Sequence, residues 1–405
     1  MKKMLLFIAL GIAISGHAQI INFPDAKLKN ALVSSPCVNT FGVNVPYIDA
    51  DTNNDGEIDM DEAKAVTELH IDFREISDLS GIEHFTNLTF LDCGGNLLTS
   101  FSTQGLTNLN ILFCYANQLT SLDLRSLPSL ALLNCGYNQI SDLKLQGLTN
   151  LQQFHCMNNQ LSSLDVQAFK NLQLLDCSGN QLTSLNLAGL VHMEKIWCNN
   201  NQITQLDLNG LVNLEELYCQ ENQLTNLEIG ESVKMEILYC YENQLTSLDV
   251  HNMPKLMGVI ANNNKLSRLN AKNGNQEIIG FAGNPDLNCI CCDKSEYLKV
   301  QQMVQQLGMT NTTISFDCDS NNCPPAQENN DITLYPNPAH NMLYYHSTKA
   351  IEKVELMDLS GEIRPQVFDD VFGEPQVYVG HLERGIYILQ YFIEGKAYQA
   401  KFVKK

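Results

Sequence analysis

Residues 132–140 read LLNCGYNQI. Twenty-one residues earlier, 111–119 read ILFCYANQL, and twenty-one residues later, 153–161 read QFHCMNNQL. The same spacing places cysteines at 93, 114, 135, 156, 177, 198, 219 and 240, each followed three residues on by an asparagine: Asn96, Asn117, Asn138, Asn159, Asn180, Asn201, Asn222 and Asn243. A ninth copy keeps Asn264 but has Ala261 in the cysteine slot. A fixed period in this range is the mark of a solenoid, in which each repeat is one small unit that cannot close a core alone.

The copies share the template L-x-x-L-x-C-x-x-N-x-L, as in Leu130, Leu133, Cys135, Asn138 and Ile140, or Leu214, Leu217, Cys219, Asn222 and Leu224. Around each cysteine the chain should form a short strand with alternate residues turned inward. Leu, Leu and Cys then face a core that stacking closes, and the asparagine turns in to satisfy backbone groups at the strand end. Stretches such as LTSLDL (119–124) and LTSLDV (245–250) supply the other wall. The pattern resembles the leucine-rich repeat family, with Cys in place of the third leucine, and is internalin-like. Val66–Ile76 reads as a degenerate first rung and Ile279–Asn284 as a worn last one. The resemblance implies an α/β-type solenoid of mainly β character, a horseshoe over 66–286 with an N-terminal cap over 19–65 and a C-terminal cap over 287–318.

The cysteine ladder is expected to be packing. Parallel strands stack about 4.8 Å apart, whereas a disulfide needs Cβ atoms at roughly 3.8 Å, and zinc needs about four converging ligands rather than a file. A free thiol behaves as a small hydrophobe. The remaining cysteines, Cys37, Cys289, Cys291, Cys292, Cys318 and Cys323, are disulfide candidates in an exported chain. The run NPDLNCICCDKSEYLKV resembles the C-terminal cap of bacterial leucine-rich repeat proteins, and that resemblance implies a Cys291–Cys318 pair.

Export is read from the first residues. Lys2 and Lys3, an apolar run from Met4 to Ile14, and small residues ending at Ala18 form a signal peptide over 1–18. That apolar run is too short to span a bilayer, and no later one is long enough. With 45 Asp+Glu against 25 Lys+Arg, a net charge of −20 argues against nucleic acid or an anionic membrane as partner.

Residues 51–62, DTNNDGEIDMDE, match the twelve-residue calcium loop of an EF-hand position by position. Asp51, Asn53 and Asp55 supply the first oxygens, Gly56 the sharp turn, Glu57 its backbone carbonyl, Asp59 a direct or water-mediated ligand, and Glu62 a bidentate one. A hard dication needs six or seven oxygens wrapped around a point, so a structural calcium bracing the N-terminal cap is expected. An ordinary acidic turn is the plain alternative.

After a polar, Pro-rich linker at 319–331, residues 332–405 alternate apolar positions with Gly and Asn turns, as a small β-sandwich does. Tyr335-Pro336-Asn337-Pro338, Asp358-Leu359-Ser360-Gly361, Gly385-Ile386-Tyr387 and the basic end at Lys404 and Lys405 resemble the type IX secretion sorting domain. This resemblance implies a Gram-negative bacterium, delivery by the type IX machinery, and a secreted or cell-surface product.

The residues flanking each cysteine should face the concave surface. They vary while the frame does not, and they include Phe113, Tyr115, His155, Trp197, Tyr218, Tyr239 and Tyr241, Trp197 being the only tryptophan of the chain. Exposed aromatics suit protein hot spots and equally the stacking of sugar rings. A column on the opposite wall, Asp123, Asp165, Asp207, Glu228 and Asp249, reads as a solvated edge. No catalytic motif is visible: there is no G-x-S-x-G elbow, H-E-x-x-H helix or phosphate-cradling loop. The expectation is an adhesin-like surface protein binding another protein through its concave face, with glycan binding or a purely structural surface role as alternatives.

Overall fold

The computed structural model describes residues 19–39, 47–230, 232–316, 332–347, 351–358, 376–393 and 396–405. The expected signal peptide, the linker, Cys318, Cys323 and Leu359-Ser360-Gly361 lie outside them. The chain divides into two units, residues 1–323 and 324–405, within the stretch read as a linker.

The first unit is a β-solenoid. Its inner wall is an eleven-stranded parallel sheet running from Glu68–His70 to Ile278–Gly280, each strand three residues long and paired in register with the next rung. Period-2 alternation explains the burial: in Lys195–Trp197 only the central Ile196 is fully buried, and Glu216–Tyr218 and Ile237–Tyr239 follow the same pattern. The degenerate first rung joins through Glu68↔Phe90 and the worn last one through Gly258↔Ile278. The second wall is formed in pieces: Ser121–Asp123 pairs with Asp142–Lys144, and a second piece runs in the order Ser247–Asp249, Arg268–Asn270, Cys289–Cys291, Thr313–Ser315, each strand paired with the next. Among the described residues, α-helix occurs only in the two caps, at Ala26–Ser34, Met60–Ala65 and Tyr297–Gln306. Among the described residues, the repeats themselves contain strands, turns and the 3-10 turn Ile82–His84 but no α-helix.

One continuous core runs from Ile21 to Val304. All eight ladder cysteines are buried free thiols within it. Burial pushes the thiols of Cys135, Cys198 and Cys240 up to about 12, so they stay protonated and unreactive. The asparagines form a second ladder. Asn138 Nδ2 donates to the carbonyls of Cys114 (3.0 Å), Cys135 (3.1 Å) and Gly136 (3.2 Å), and its Oδ1 accepts from the Leu119 N–H at 3.0 Å. The same bonds recur from Asn96 to Asn284, so one amide per rung serves both its own turn and the preceding rung.

Two cap cysteines correct the sequence reading. Cys37 and Cys292 are free and buried rather than cross-linked, since both sit where an apolar side chain fills the core. Cys289 and Cys291 are each disulfide-bonded; the expected Cys291–Cys318 pairing falls on a residue outside those described. At the other end, Asp25 caps helix Ala26–Ser34 through the Lys27 and Leu28 N–H groups and bolts it to the first rung through the Ser77 N–H and hydroxyl, both at 2.8 Å. Partial burial alone would raise its carboxyl, but these donors hold it down at about 2.

The second unit has two three-stranded sheets sharing one core of Ala339, Leu343, Leu356, Val377, Leu389, Tyr391 and Phe402. The Asn337 amide of the Pro-Asn-Pro turn ties the start of the unit to its last strand, Oδ1 accepting the Val403 N–H at 2.8 Å. Gly385 and Ile386 open the long strand Gly385–Ile393, and Tyr387 packs on Phe402 with ring centroids 5.9 Å apart.

Candidate functional site

The concave face separates the aromatic candidates into two groups. Phe113 and Tyr115 belong to a cluster at the N-terminal end: Phe90 meets Phe113 edge-on (5.5 Å), Phe113 meets Tyr115 (6.4 Å), and Tyr115 meets Phe73 (6.3 Å). His70 stacks on Phe90 at 4.5 Å and Tyr47 stands on His70 at 4.8 Å. Gly94 makes room for this cluster, because a Cβ there would lie 2.5 Å from the Tyr115 ring.

Trp197, Tyr218 and Tyr239 form the second group. In-register pairing puts them on successive rungs, with centroids 6.0 and 5.0 Å apart and interplanar angles of 83° and 67°. Edge-to-face contacts at these separations are favourable beyond area burial. All three are half-buried, each keeping part of its ring open to solvent. Tyr241 lies beside them, its hydroxyl against Gln220 and Glu221; burial and then the Glu221 charge raise its pKa above the ordinary phenol value, so it is a neutral donor.

His155 belongs to neither group. Its register partners are Asn134 and Asp176. Burial lowers its affinity for a proton and the nearby Asp176 only partly offsets this, leaving a neutral imidazole around pH 7. A polar strip of Asn134, His155 and Asp176 thus parts the two aromatic groups.

Sequence reasoning took only the positions next to each cysteine and so missed Phe90, which stands three before Cys93. Period-2 alternation would have found it, because the residue three before each cysteine faces the same way as the one just before it. Tyr47, His70 and Phe73 come from the cap and first rung, where the template is too worn to assign a face.

The expected calcium loop has the right donors in the right order. It bends at Asn54 and Gly56, with φ of 60° and 82°, and Ile58 is fully buried beneath it. Asp51 and Glu62 are 3% and 6% exposed. Asp51 accepts the Asp55 and Gly56 N–H groups at 3.1 and 2.8 Å, Asn53 Oδ1 accepts that of Asp55, and Asp55 accepts that of Glu57. Glu62 closes the loop by accepting from the Asn53 and Asp59 N–H groups and the Thr52 hydroxyl, while Asp59 caps the following helix reciprocally. The Glu57 carboxylate is drawn to Lys29 at 2.6 Å, which leaves its backbone carbonyl as the donor toward the loop. The all-oxygen set suits a hard dication. Among the described residues, no three His, Cys, Asp or Glu side chains converge at metal-binding distance; Asp51, Asp55, Asp59 and Glu62 each accept N–H groups of the loop or of the helix that follows it.

The acidic column on the second wall is a set of turn caps. Asp165 accepts the Gln167 N–H and Asp207 that of Asn209, Glu228 accepts from the Asn226 amide, Asp123 pairs with Arg125 at 2.6 Å, and Asp249 pairs with His251 at 2.7 Å.

Known proteins place this architecture. Residues 170–211 match the leucine-rich repeat family over two copies, and residues 333–405 match the secretion system C-terminal sorting domain. Among solved structures, the functional domain of InlJ from Listeria monocytogenes, described as including a cysteine ladder, is 20% identical over 96% of this chain and 99% of its own, with a TM-score of 0.53. An internalin, InlF, from Listeria monocytogenes is 21% identical over 73% of this chain and 96% of its own, at a TM-score of 0.39. A leucine-rich repeat protein from Leptospira interrogans is 22% identical over 63% and 73%, at 0.41. No curated protein matches the chain. The chain is therefore a leucine-rich repeat solenoid, internalin-like in fold. It ends in a secretion sorting domain, which marks it for secretion or surface display. Among the described residues no helix is long and apolar enough to cross a membrane.

Proposed function

We propose that the protein is an exported adhesin-like binder that holds a protein partner on its concave face, without transforming it. The observation that supports this reading is the Trp197–Tyr218–Tyr239 ladder, three half-buried aromatics stacked on consecutive rungs of a rigid scaffold. Large rings held by their neighbours lose little entropy on binding and carry much of the energy at protein interfaces. The sorting domain supports delivery to the exterior of a Gram-negative cell by the type IX machinery. A calcium ion held by Asp51, Asn53, Asp55, Asp59 and Glu62 and the Glu57 carbonyl would brace the N-terminal cap, drawing together carboxylates that the loop holds on its own N–H groups.

The test is a screen of the protein over an extracellular protein library and a glycan array, beside a Trp197→Ala, Tyr218→Ala, Tyr239→Ala variant matched for thermal stability. Protein hits lost in the variant support the proposal. Glycan hits lost in the variant, or no variant-sensitive hit at all, would overturn it in favour of a lectin or a structural surface component.

A further inference from the structure

Resting on that concave-face reading, we propose that the C-terminal half of the face is built for a basic protein segment, with Lys or Arg side chains lying on the Trp197–Tyr218–Tyr239 ladder between two rows of carboxylates. The first row precedes the strands. Glu194, Glu215 and Glu236 occupy one repeat position on three rungs, and their backbones are in register, the Glu215 and Glu236 N–H groups each donating to the glutamate carbonyl one rung before at 2.8 Å. The second row follows the strands at Glu221 and Glu242, both in the left-handed region with φ of 56° and 53°. The aromatic ladder lies between the rows, on the same rungs.

These charges are not neutralised from within. Lys195 is the one lysine on this part of the face. It is committed to Glu216 at 2.7 Å, with the fields of Glu215 and Glu194 adding to the rise in its proton affinity. The nearby Lys234 is turned to Asn213 of the adjacent rung, at 2.8 Å. Among the described residues, no cation forms an ion pair with Glu194, Glu215, Glu236, Glu221 or Glu242. Glu194 and Glu242 are exposed and the others half-buried, so all remain reachable.

Like charges stacked one rung apart repel, and a strand ladder brings them within about 5 Å of backbone spacing. A partner that supplies cations relieves this repulsion as it binds. The aromatic faces favour the same cations, since a guanidinium or ammonium is drawn to the ring quadrupole. Acidic groups flanking an aromatic file therefore select against nucleic acid, anionic lipid and acidic protein and favour a basic chain. A neutral glycan would use the rings and ignore the carboxylates.

The experiment uses the full chain and three labelled peptides of equal length: oligo-arginine, Ser-Gly and oligo-glutamate. It compares Glu215→Gln/Glu236→Gln with Asp165→Asn/Asp207→Asn, which removes the same charge from the other wall. The expected result is binding of oligo-arginine alone, weakened about fivefold or more by the first pair, under about twofold by the second, and reduced by salt. Trp197→Ala should weaken it as well. Equal losses from both pairs, or unchanged affinity in Trp197→Ala, would overturn the proposal, because the peptide would then be sensing net charge. If the aromatic triple variant loses library hits that Glu215→Gln/Glu236→Gln retains, the basic-segment inference fails while the concave-face reading stands. If neither variant loses a hit, both fail.

Discussion

Single side chains carry the repeat. Asn180 donates to the carbonyls of Cys156, Cys177 and Ser178 and accepts the Leu161 N–H, all within 3.2 Å and all buried but the part-buried Ser178 bond. Asn180→Ala should therefore cost about 3 kcal/mol, since it orphans several buried backbone groups at once. Asn108, by contrast, makes one exposed bond to the Thr86 carbonyl at 2.9 Å, and its alanine variant should cost under about 1 kcal/mol. Urea unfolding of the two variants checks the contrast, and similar losses would count against the ladder as a structural spine. Cys, Leu and Asn positions were legible because identical physics recurs every rung. The outer asparagines Asn87, Asn108, Asn150, Asn171 and Asn213, which bond the carbonyl of the preceding rung, were overlooked although T-N-L and related triplets repeat in the chain. The left-handed position two residues after each cysteine was not legible. It is filled by Gly95 and Gly179 but also by Ala116, Tyr137, Glu221 and Glu242, so no residue type announces it.

The caps are where elements meet side chains that the repeat cannot predict. Helix Tyr297–Gln306 sits on the loop after Arg268–Asn270 through two clasps, Asp293 Oδ2 accepting the Gly274 N–H at 2.7 Å and Lys299 Nζ donating to the Glu277 carbonyl at 3.0 Å. Between them lies Glu296, 3% exposed, with neither carboxyl oxygen hydrogen-bonded. Burial first and the Glu277 charge second raise its pKa to about 7, while the Asp293 backbone lowers it, the Asp293 charge raises it and Lys299 opposes the rise. A raised carboxyl stabilises the fold fully below its unfolded value of about 4.3 and loses that contribution as pH climbs through about 7. Alkylation of the buried Cys292 thiol should thus speed up between pH 6 and 8 relative to Glu296→Gln measured at each pH, as read by peptide mass spectrometry. Equal rates in the two proteins would show that Glu296 does not control the cap. At the other end, calcium added to the chain should raise the thermal midpoint over excess chelator, and equal midpoints would remove calcium from the N-terminal cap. The order of oxygen-bearing side chains at 51–62 was readable from sequence; that Glu62 and Asp59 form a capping box was not, because one carboxylate can serve both patterns.

At the scale of the whole molecule, a sheet of identical rungs presents a surface whose side chains are free to differ. The frame was visible in the sequence because it repeats. The division of the face into two aromatic clusters parted by Asn134, His155 and Asp176 was not, because it depends on which rungs neighbour one another and on cap residues such as Tyr47 and Phe73. Trp197 gives the most direct test of what this face does. As the only tryptophan in 405 residues, it is the sole source of indole emission from the protein. Titrating the strongest library hit, prepared without tryptophan, into the protein should shift and saturate that emission at the same concentration that saturates binding. A partner that binds at full affinity while the Trp197 emission stays unchanged would contradict a concave binding face.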